Sequence, residues 1–417
     1  MSKSAIKDTI YWDKRLSWAS TAFFIGSVGN ASLKTVLPIP DSLWGVMSAV
    51  VGIGIICIFA MNFKEMLKRK STIFWRTIFL FIILYALSAV LILMRGEPLR
   101  QMLMGTAFLT FVWWIPSGIY ACSVCDKRIL YQVWVKASYL ISAFAIVMFF
   151  FHIPQENSIG GAEYNMSFGF YIILPLLIQM NEYTQRKRIW LLVLILFEIF
   201  TIFVYANRGV LLSLIFFVIY KFAFESDSRI RKLVSIIFLI LLTIAMLSSI
   251  QTIASYLVAV LDTFGFESRT LGMLAGGSIS DSSGRDELWD ICFRMIEQRP
   301  FLGWGLGGEY YEIGKLYMGA SGDEILASSF NPHNGIIQNL VCFGLLLGLF
   351  LNIFVLYPLF HLKFHSDKFV HMLLLIFASS SVIPICISAS GFFITPGVAV
   401  YLYLFYVKQP LGPSFIK

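Results

Sequence analysis

Three side chains in this sequence are of types that hold or move charge and stand where a charge needs a reason. They are Arg208 in YANRGVLLSLI (205–215), Arg285 in SSGRDELWDICFRMIEQRP (282–300) and His333 in NPHNG (331–335). Arg208 lies between two apolar runs with almost no loop to hold it. A cation at the bilayer centre costs about 2.5–3.5 kcal/mol on insertion scales, so it must anchor at the outer interface or face a polar cavity. Arg285 falls in the first turn of a helix, where a cation opposes the macrodipole by several tenths of a kcal/mol. Either it is solvated or ion-paired beside Asp281 and Asp286, or a helix N-terminus and a guanidinium converge there on an anion such as phosphate. His333 is one of only five histidines, and it can serve as a structural hydrogen-bonder or as a proton acceptor near neutral pH. Between these lies RPFLGWGLGG (299–308). It is neither a Walker loop nor a GxGxxG after a strand, so its glycines serve tight turns or a close backbone approach beside a ligand.

The elements that must position these groups are membrane-spanning helices. The chain is 58% hydrophobic and 13% charged, with a mean hydropathy of +0.78, more apolar surface than a water-soluble core absorbs. Apolar runs of about 20 residues predict α-helices and exclude a barrel of alternating ten-residue strands. About twelve spans are expected, at 16–37, 41–63, 73–94, 99–121, 131–151, 164–180, 189–206, 209–224, 233–260, 336–360, 369–389 and 391–408. Placing the N-terminus inside puts 21 lysines and arginines in cytoplasmic segments and nine outside, the bias that orients membrane proteins. Both termini are then cytoplasmic, and the first apolar run is too long for a cleavable signal. The net charge of +8 follows from that bias. It favours anionic lipid headgroups and gives no support to nucleic-acid binding.

The chain reads as one polytopic domain over 1–417, with one long connection, at 262–335, between the ninth and tenth spans. A segment of that length is functional or disordered. Trp289, Phe293, Phe301, Trp304, Tyr310, Tyr311, Tyr317 and Phe330 argue against disorder. Within it, 282–300 reads as a helix, with Ser283 as N-cap, Asp286 and Glu287 at the positive end, and Leu288, Cys292, Met295 and Ile296 as the apolar stripe. Of the six cysteines, Cys122 and Cys125 form a lone CxxC at a helix end with no histidine nearby, which does not make a metal or redox site. Glu198 lies near mid-membrane and reads as a buried, paired structural carboxyl more than a catalytic one.

Taken in order, NRG (207–209), SGRDELW (283–289), RPFLGWGLG (299–307) and HNGIIQNLVCFGLLLG (333–348) resemble the O-antigen ligase and polysaccharide polymerase superfamily of bacterial membrane glycosyltransferases, the Wzy/WaaL-like proteins. The resemblance is close over about 75 residues, and the helix count and loop position agree over the whole chain. It implies an all-α, GT-C-like fold in the cytoplasmic (inner) membrane, with the active site on the extracytoplasmic face. It also implies metal-independent, inverting transfer of a glycan from undecaprenyl diphosphate to an acceptor hydroxyl, with no cofactor. Arg208 and Arg285 would bind the diphosphate and His333 would assist the acceptor. Asn207, Asn334, Gly305 and Trp289, from the same fragments, would contact substrate. GGAEYNMSFGFYIILP (160–175) resembles an outer turn of the family but lacks the arginine often found there.

That chemistry suits the residues. Two guanidiniums can stabilise a departing diphosphate through forked hydrogen bonds, and a neutral imidazole can accept a sugar hydroxyl's proton. The outer loop contains no DxD motif or His/Cys cluster. Asp281 and Glu309 are rival bases. The first expectation is a polymerase of O-antigen or capsule repeat units, with donor and acceptor both lipid-linked. The alternative is a ligase moving finished glycan onto lipid A-core. A flippase and a chain-length regulator are further partners of such a system. A transporter reading is weaker, because it calls for polar groups and broken helices at mid-membrane, and only Glu198 is clearly central.

Overall fold

A computed structural model describes residues 3–37, 40–151, 166–205, 208–221, 251–252, 254–260, 262–263, 272, 275–276, 285–318, 331–362, 367–387 and 391–407. Among the described residues there is no strand. The helices are α1 (Lys3–Val36), α2 (Asp41–Leu93), α3 (Gln101–Ser123), α4 (Lys127–Phe151), α5 (Met166–Arg186), α6 (Ile189–Tyr205), α7 (Arg208–Ile219), α8 (Arg285–Gln298), α9 (Glu309–Met318), α10 (Gly335–His361), α11 (Lys368–Ile387) and α12 (Pro396–Tyr406). Among the described residues five helices, Ser42–Leu93 and α3, α4, α10 and α11, are long and apolar enough to cross a membrane. The apolar parts of α6 and α7, and α12, are shorter. α1 holds the span expected at 16–37 but is diluted by Ser17, Ser20, Thr21, Ser27, Asn30 and Ser32. Most of the span expected at 233–260 lies outside the described residues.

Helix α2 has 53 residues, far more than the roughly 20 that one crossing needs. It breaks at Lys70 (φ −140°, ψ 30°). The rings of Phe63 and Phe74 lie 5.4 Å apart, whereas a straight helix would separate those positions by about 16 Å. The chain therefore reverses at Lys70, and the two predicted spans are the arms of one hairpin. Beside this turn, buried Asp13 accepts hydrogen bonds from Arg69, from Cys125 N at 3.1 Å and from Asp126 N at 2.8 Å. Glu65 holds the same guanidinium at 2.8 Å. One carboxylate thus joins α1, the hairpin and the turn between α3 and α4. The CxxC cysteines are free thiols here.

Contacts group the chain into two compact units. The first comprises Met1–Phe23, Ile53–Val133 and Ser282–Lys417, the second Phe24–Gly52 and Trp134–Asp281. In the second, Glu198 is buried and accepts from Ser142, which in turn accepts from Gln179 Nε2 at 2.6 Å. This carboxyl therefore links α4, α5 and α6, the structural role expected of it.

In the first unit, the run expected as a single span at 336–360 turns on itself. Gly344 adopts φ 72° and ψ −179°, a region open essentially to glycine alone. Asn339 Nδ2 donates to Asn352 Oδ1 at 2.8 Å, and Asn352 Nδ2 to Ile336 O at 3.0 Å. On a straight helix these pairs would stand about 20 and 24 Å apart. Helix α10 is thus a short arm, 335–343, folded back on a longer arm, 345–361. Burial of Asn339 and Asn352 and their closure on one another make this break a packing device, not a lined pathway.

Gly344→Ala should cost on the order of 3 kcal/mol or more, because its Cβ would also fall 2.6 Å from the Phe301 carbonyl. Gly45→Ala, inside a helix and with nothing within 4 Å of an added Cβ, should be neutral or stabilising by up to about 1 kcal/mol. Thermal unfolding of the two variants in one detergent separates them.

Candidate functional site

Helix α8 forms where expected. Asp286 and Glu287 occupy its first turn, where acids complement the dipole, and Leu288, Ile291, Cys292, Met295 and Ile296 make its buried face. That face packs with Trp304, Ile313, Ile337 and Val341 into one cluster joining α8, α9 and the short arm of α10. The proposed N-cap Ser283 and the rival base Asp281 lie outside the described residues.

The glycine-rich stretch explains how this cluster holds a broken helix. Reversal at Gly344 deprives the Val341 and Cys342 carbonyls of the N–H groups that a continuous α10 would supply, and it orphans Leu345 N–H. Trp304 N donates to Val341 O and Gly305 N to Cys342 O, both at 2.9 Å, while Leu345 N donates to Pro300 O at 2.7 Å. Backbone meets backbone so closely that a Cβ on Gly303 (φ 65°) would lie 2.5 Å from the Cys342 carbonyl. Gly305, expected to contact substrate, is buried, uses its N–H on Cys342, and would place a Cβ 3.0 Å from Ser88 O. Its backbone thus joins the loop to the short arm of α10.

The Trp304 indole anchors the same loop. Its Nε1 donates to Met295 O at 2.9 Å, and the guanidinium carbons of Arg299 and Arg95 stand over the ring at 4.5 and 5.1 Å from its centroid. Arg95 also pairs with Glu97 at 2.8 Å, and Glu97 with Lys315 at 2.9 Å. Burial alone would raise the Glu97 carboxyl, but hydrogen bonds from Arg95 and Lys315 outweigh it and hold the group below the usual range. In the sequence Arg95 is one more cation in a short connection between apolar runs. No periodicity or spacing links it to a tryptophan 209 positions later, as the structure does.

NPHNG folds as a turn docked on α8. Trp289 Nε1 donates to Pro332 O at 3.0 Å. Asn331 Oδ1 accepts from His333 N at 3.0 Å, closing an Asx turn that holds His333 at φ 50°, a left-handed conformation uncommon for a residue with a side chain. Asn334 caps α10, accepting from Ile336 N and Ile337 N at 3.0 and 3.2 Å. Trp289 and Asn334, expected to contact substrate, thus also carry the local fold. The imidazole is half-buried, and burial first, then the positive charge of Arg285, push its pKa below the usual value. Arg285 and His333 are therefore brought into one electrostatic environment.

Arg208 opens α7 in the second unit, and Asn207 lies outside the described residues. Glu309 is fully buried. Its Oε1 accepts from Gln338 Nε2 at 2.8 Å, and burial, only partly countered by that bond, raises its pKa.

Residues 190–353 match a family model described as O-antigen ligase, a stretch that takes in every candidate site residue named above. No curated protein and no solved structure matches the chain.

Asn334→Ala should lower stability by about 1 kcal/mol through loss of the cap, whereas Asn334→Asp, which keeps the acceptor, should not. Intrinsic fluorescence on heating reads both.

Proposed function

From the premise that the chain carries an O-antigen ligase domain over residues 190–353, we propose that it polymerises bacterial surface polysaccharide. It transfers a growing glycan from undecaprenyl diphosphate to the acceptor sugar of another lipid-linked repeat unit on the extracytoplasmic face of a twelve-span inner-membrane protein. The observation that carries this reading is the docking of the His333 turn on the helix that Arg285 opens, through the Trp289–Pro332 hydrogen bond, where burial and then the Arg285 charge lower the His333 pKa. A cation and an imidazole biased towards its neutral form, on segments docked together, suit displacement of a diphosphate by a hydroxyl.

The roles follow. Arg285 and Arg208 bind the diphosphate and stabilise the charge that grows on it as the anomeric C–O bond breaks. The acceptor hydroxyl attacks from the opposite face of the sugar ring, so the new glycosidic bond forms with inversion. Its proton passes to the free ring nitrogen of His333 and from there to solvent. Glu309 is poorly suited to this task, because it is enclosed by protein and bonded to Gln338.

A ligase reading is favoured by one observation, the description of the matched family. Purified protein given undecaprenyl-linked repeat units alone should yield a ladder of longer products. Absence of a ladder, with transfer appearing only when lipid A-core is added, would make it a ligase.

His333→Ala should lower kcat by about a hundredfold or more, while Glu309→Gln, isosteric with a protonated carboxyl, should stay within a few-fold. The reverse pattern would transfer the base role to Glu309.

The acid limb of kcat/KM should lie below about 6.5, the free-imidazole value, because burial and Arg285 both favour neutral His333. Removing the cation in Arg285→Gln should move that limb to higher pH. The residual activity of this variant, profiled from pH 4.5 to 8, tests the sign.

A further inference from the structure

A cleft in the second unit has no part in the reaction proposed above. It lies among α5, α6 and α7, has a volume of about 610 Å³, and falls within the roughly 300–1,000 Å³ range of small-molecule sites. Its wall is mostly apolar, with Ile195, Leu196 and Phe217 along its length and Asn181, Lys187 and Lys221 at one end. Leu196 is 56% exposed, so the cleft opens sideways from the helix bundle, the direction from which a bilayer supplies molecules.

The polar end is built to hold cations in place. Lys187 caps α5 in a left-handed conformation (φ 44°), its N–H donating to Tyr183 O at 2.9 Å, which fixes where its side chain leaves the turn. Lys221 donates to Asn181 Oδ1 at 3.0 Å. Arg186 is neutralised by Glu182 at 2.6 Å, but Arg188 follows on the same turn and adds positive charge. This is the end that the loop charge bias assigns to the cytoplasm, where the leaflet presents anionic headgroups.

An apolar, laterally open cleft with lysines at its inner mouth matches one class of ligand in charge and polarity. We propose that this cleft is a binding site for an anionic phospholipid, with the acyl chain against Ile195, Leu196 and Phe217 and the phosphate between Lys187 and Lys221. A basic pocket between spanning helices on the cytoplasmic side selects such headgroups by charge. A zwitterionic lipid of equal chain length fits the apolar wall but gains no net attraction at the mouth.

The test uses the full-length chain in detergent, stripped of lipid and exposed to equal amounts of phosphatidylglycerol and phosphatidylcholine with matched chains. Retained lipid is counted by native mass spectrometry. Preference for phosphatidylglycerol should be on the order of tenfold and should fall to within twofold in the double variant Lys187→Gln/Lys221→Gln. Leu196→Trp, which fills the apolar wall without altering charge, should also lose the lipid. Equal retention of both lipids by the unmodified chain overturns the proposal, as does a preference that survives in both variants. Displacement of phosphatidylglycerol by undecaprenyl diphosphate also overturns it, by assigning the cleft to the donor's tail.

Discussion

The candidate site depends on a backbone exchange between a loop and a broken helix. When α10 turns at Gly344, the carbonyls of Val341 and Cys342 and the N–H of Leu345 lose their helical partners, and unpaired groups of this kind buried in protein cost about 1–3 kcal/mol each. The 300–305 segment supplies the missing partners from its own backbone. Only glycine at 303 and 344 allows the two segments to approach closely enough. Once that exchange is made, the short arm 335–343 has a fixed direction. Its cap Asn334, and His333 before it, are then placed against the start of α8.

The exchange also explains why the outer segment is rich in aromatic residues and cations together. Trp304 sits in the loop whose backbone repairs the helix, and it fastens that loop to α8 through Met295 O. Arg299 and Arg95 cover the indole's π face, and contacts of this kind gain most where water is excluded. Arg95 then needs an acid, and Glu97 supplies it while also reaching Lys315 on α9. Positive charge is thus committed to structure in this network, while the field of Arg285 falls on His333.

Much of this was legible in the sequence, and the limits have physical reasons. Helix α8 could be read residue by residue, because a 3.6-residue apolar stripe and a dipole-matched first turn are local properties. The hairpin at Lys70 was legible because a cluster of charges divides two apolar runs. The turn at Gly344 was not, since CFGLLLG is apolar throughout and a single glycine inside an apolar run carries no sign of its φ. Asn339 and Asn352 were the missed signal, two amides in a greasy segment that need partners and find each other only if the helix folds back. The roles of Arg285 and His333 are expected from a resemblance, whereas the Trp289–Pro332 bond that docks their two segments joins positions 43 apart in the chain and is invisible to spacing.

On the proposed reading, the same arginine can serve both halves of the reaction in sequence. Before the donor arrives, the Arg285 charge helps keep His333 unprotonated, so the base is in its competent form at neutral pH. A bound diphosphate brings negative charge to Arg285 and cancels much of the field at the imidazole, because opposite charges a few ångströms apart offset one another in a partly dehydrated site. The affinity of His333 for a proton therefore rises when the donor is in place, which is when the acceptor hydroxyl must release one. Without the donor, the imidazole remains a weak base beside a cation, and water near it is poorly activated. Substrate charge rather than a moving lid then couples donor binding to base strength, and this coupling requires the two side chains to be held at a fixed separation. The loop-to-helix exchange and the Trp289 staple meet that requirement by fixing both segments to one apolar cluster.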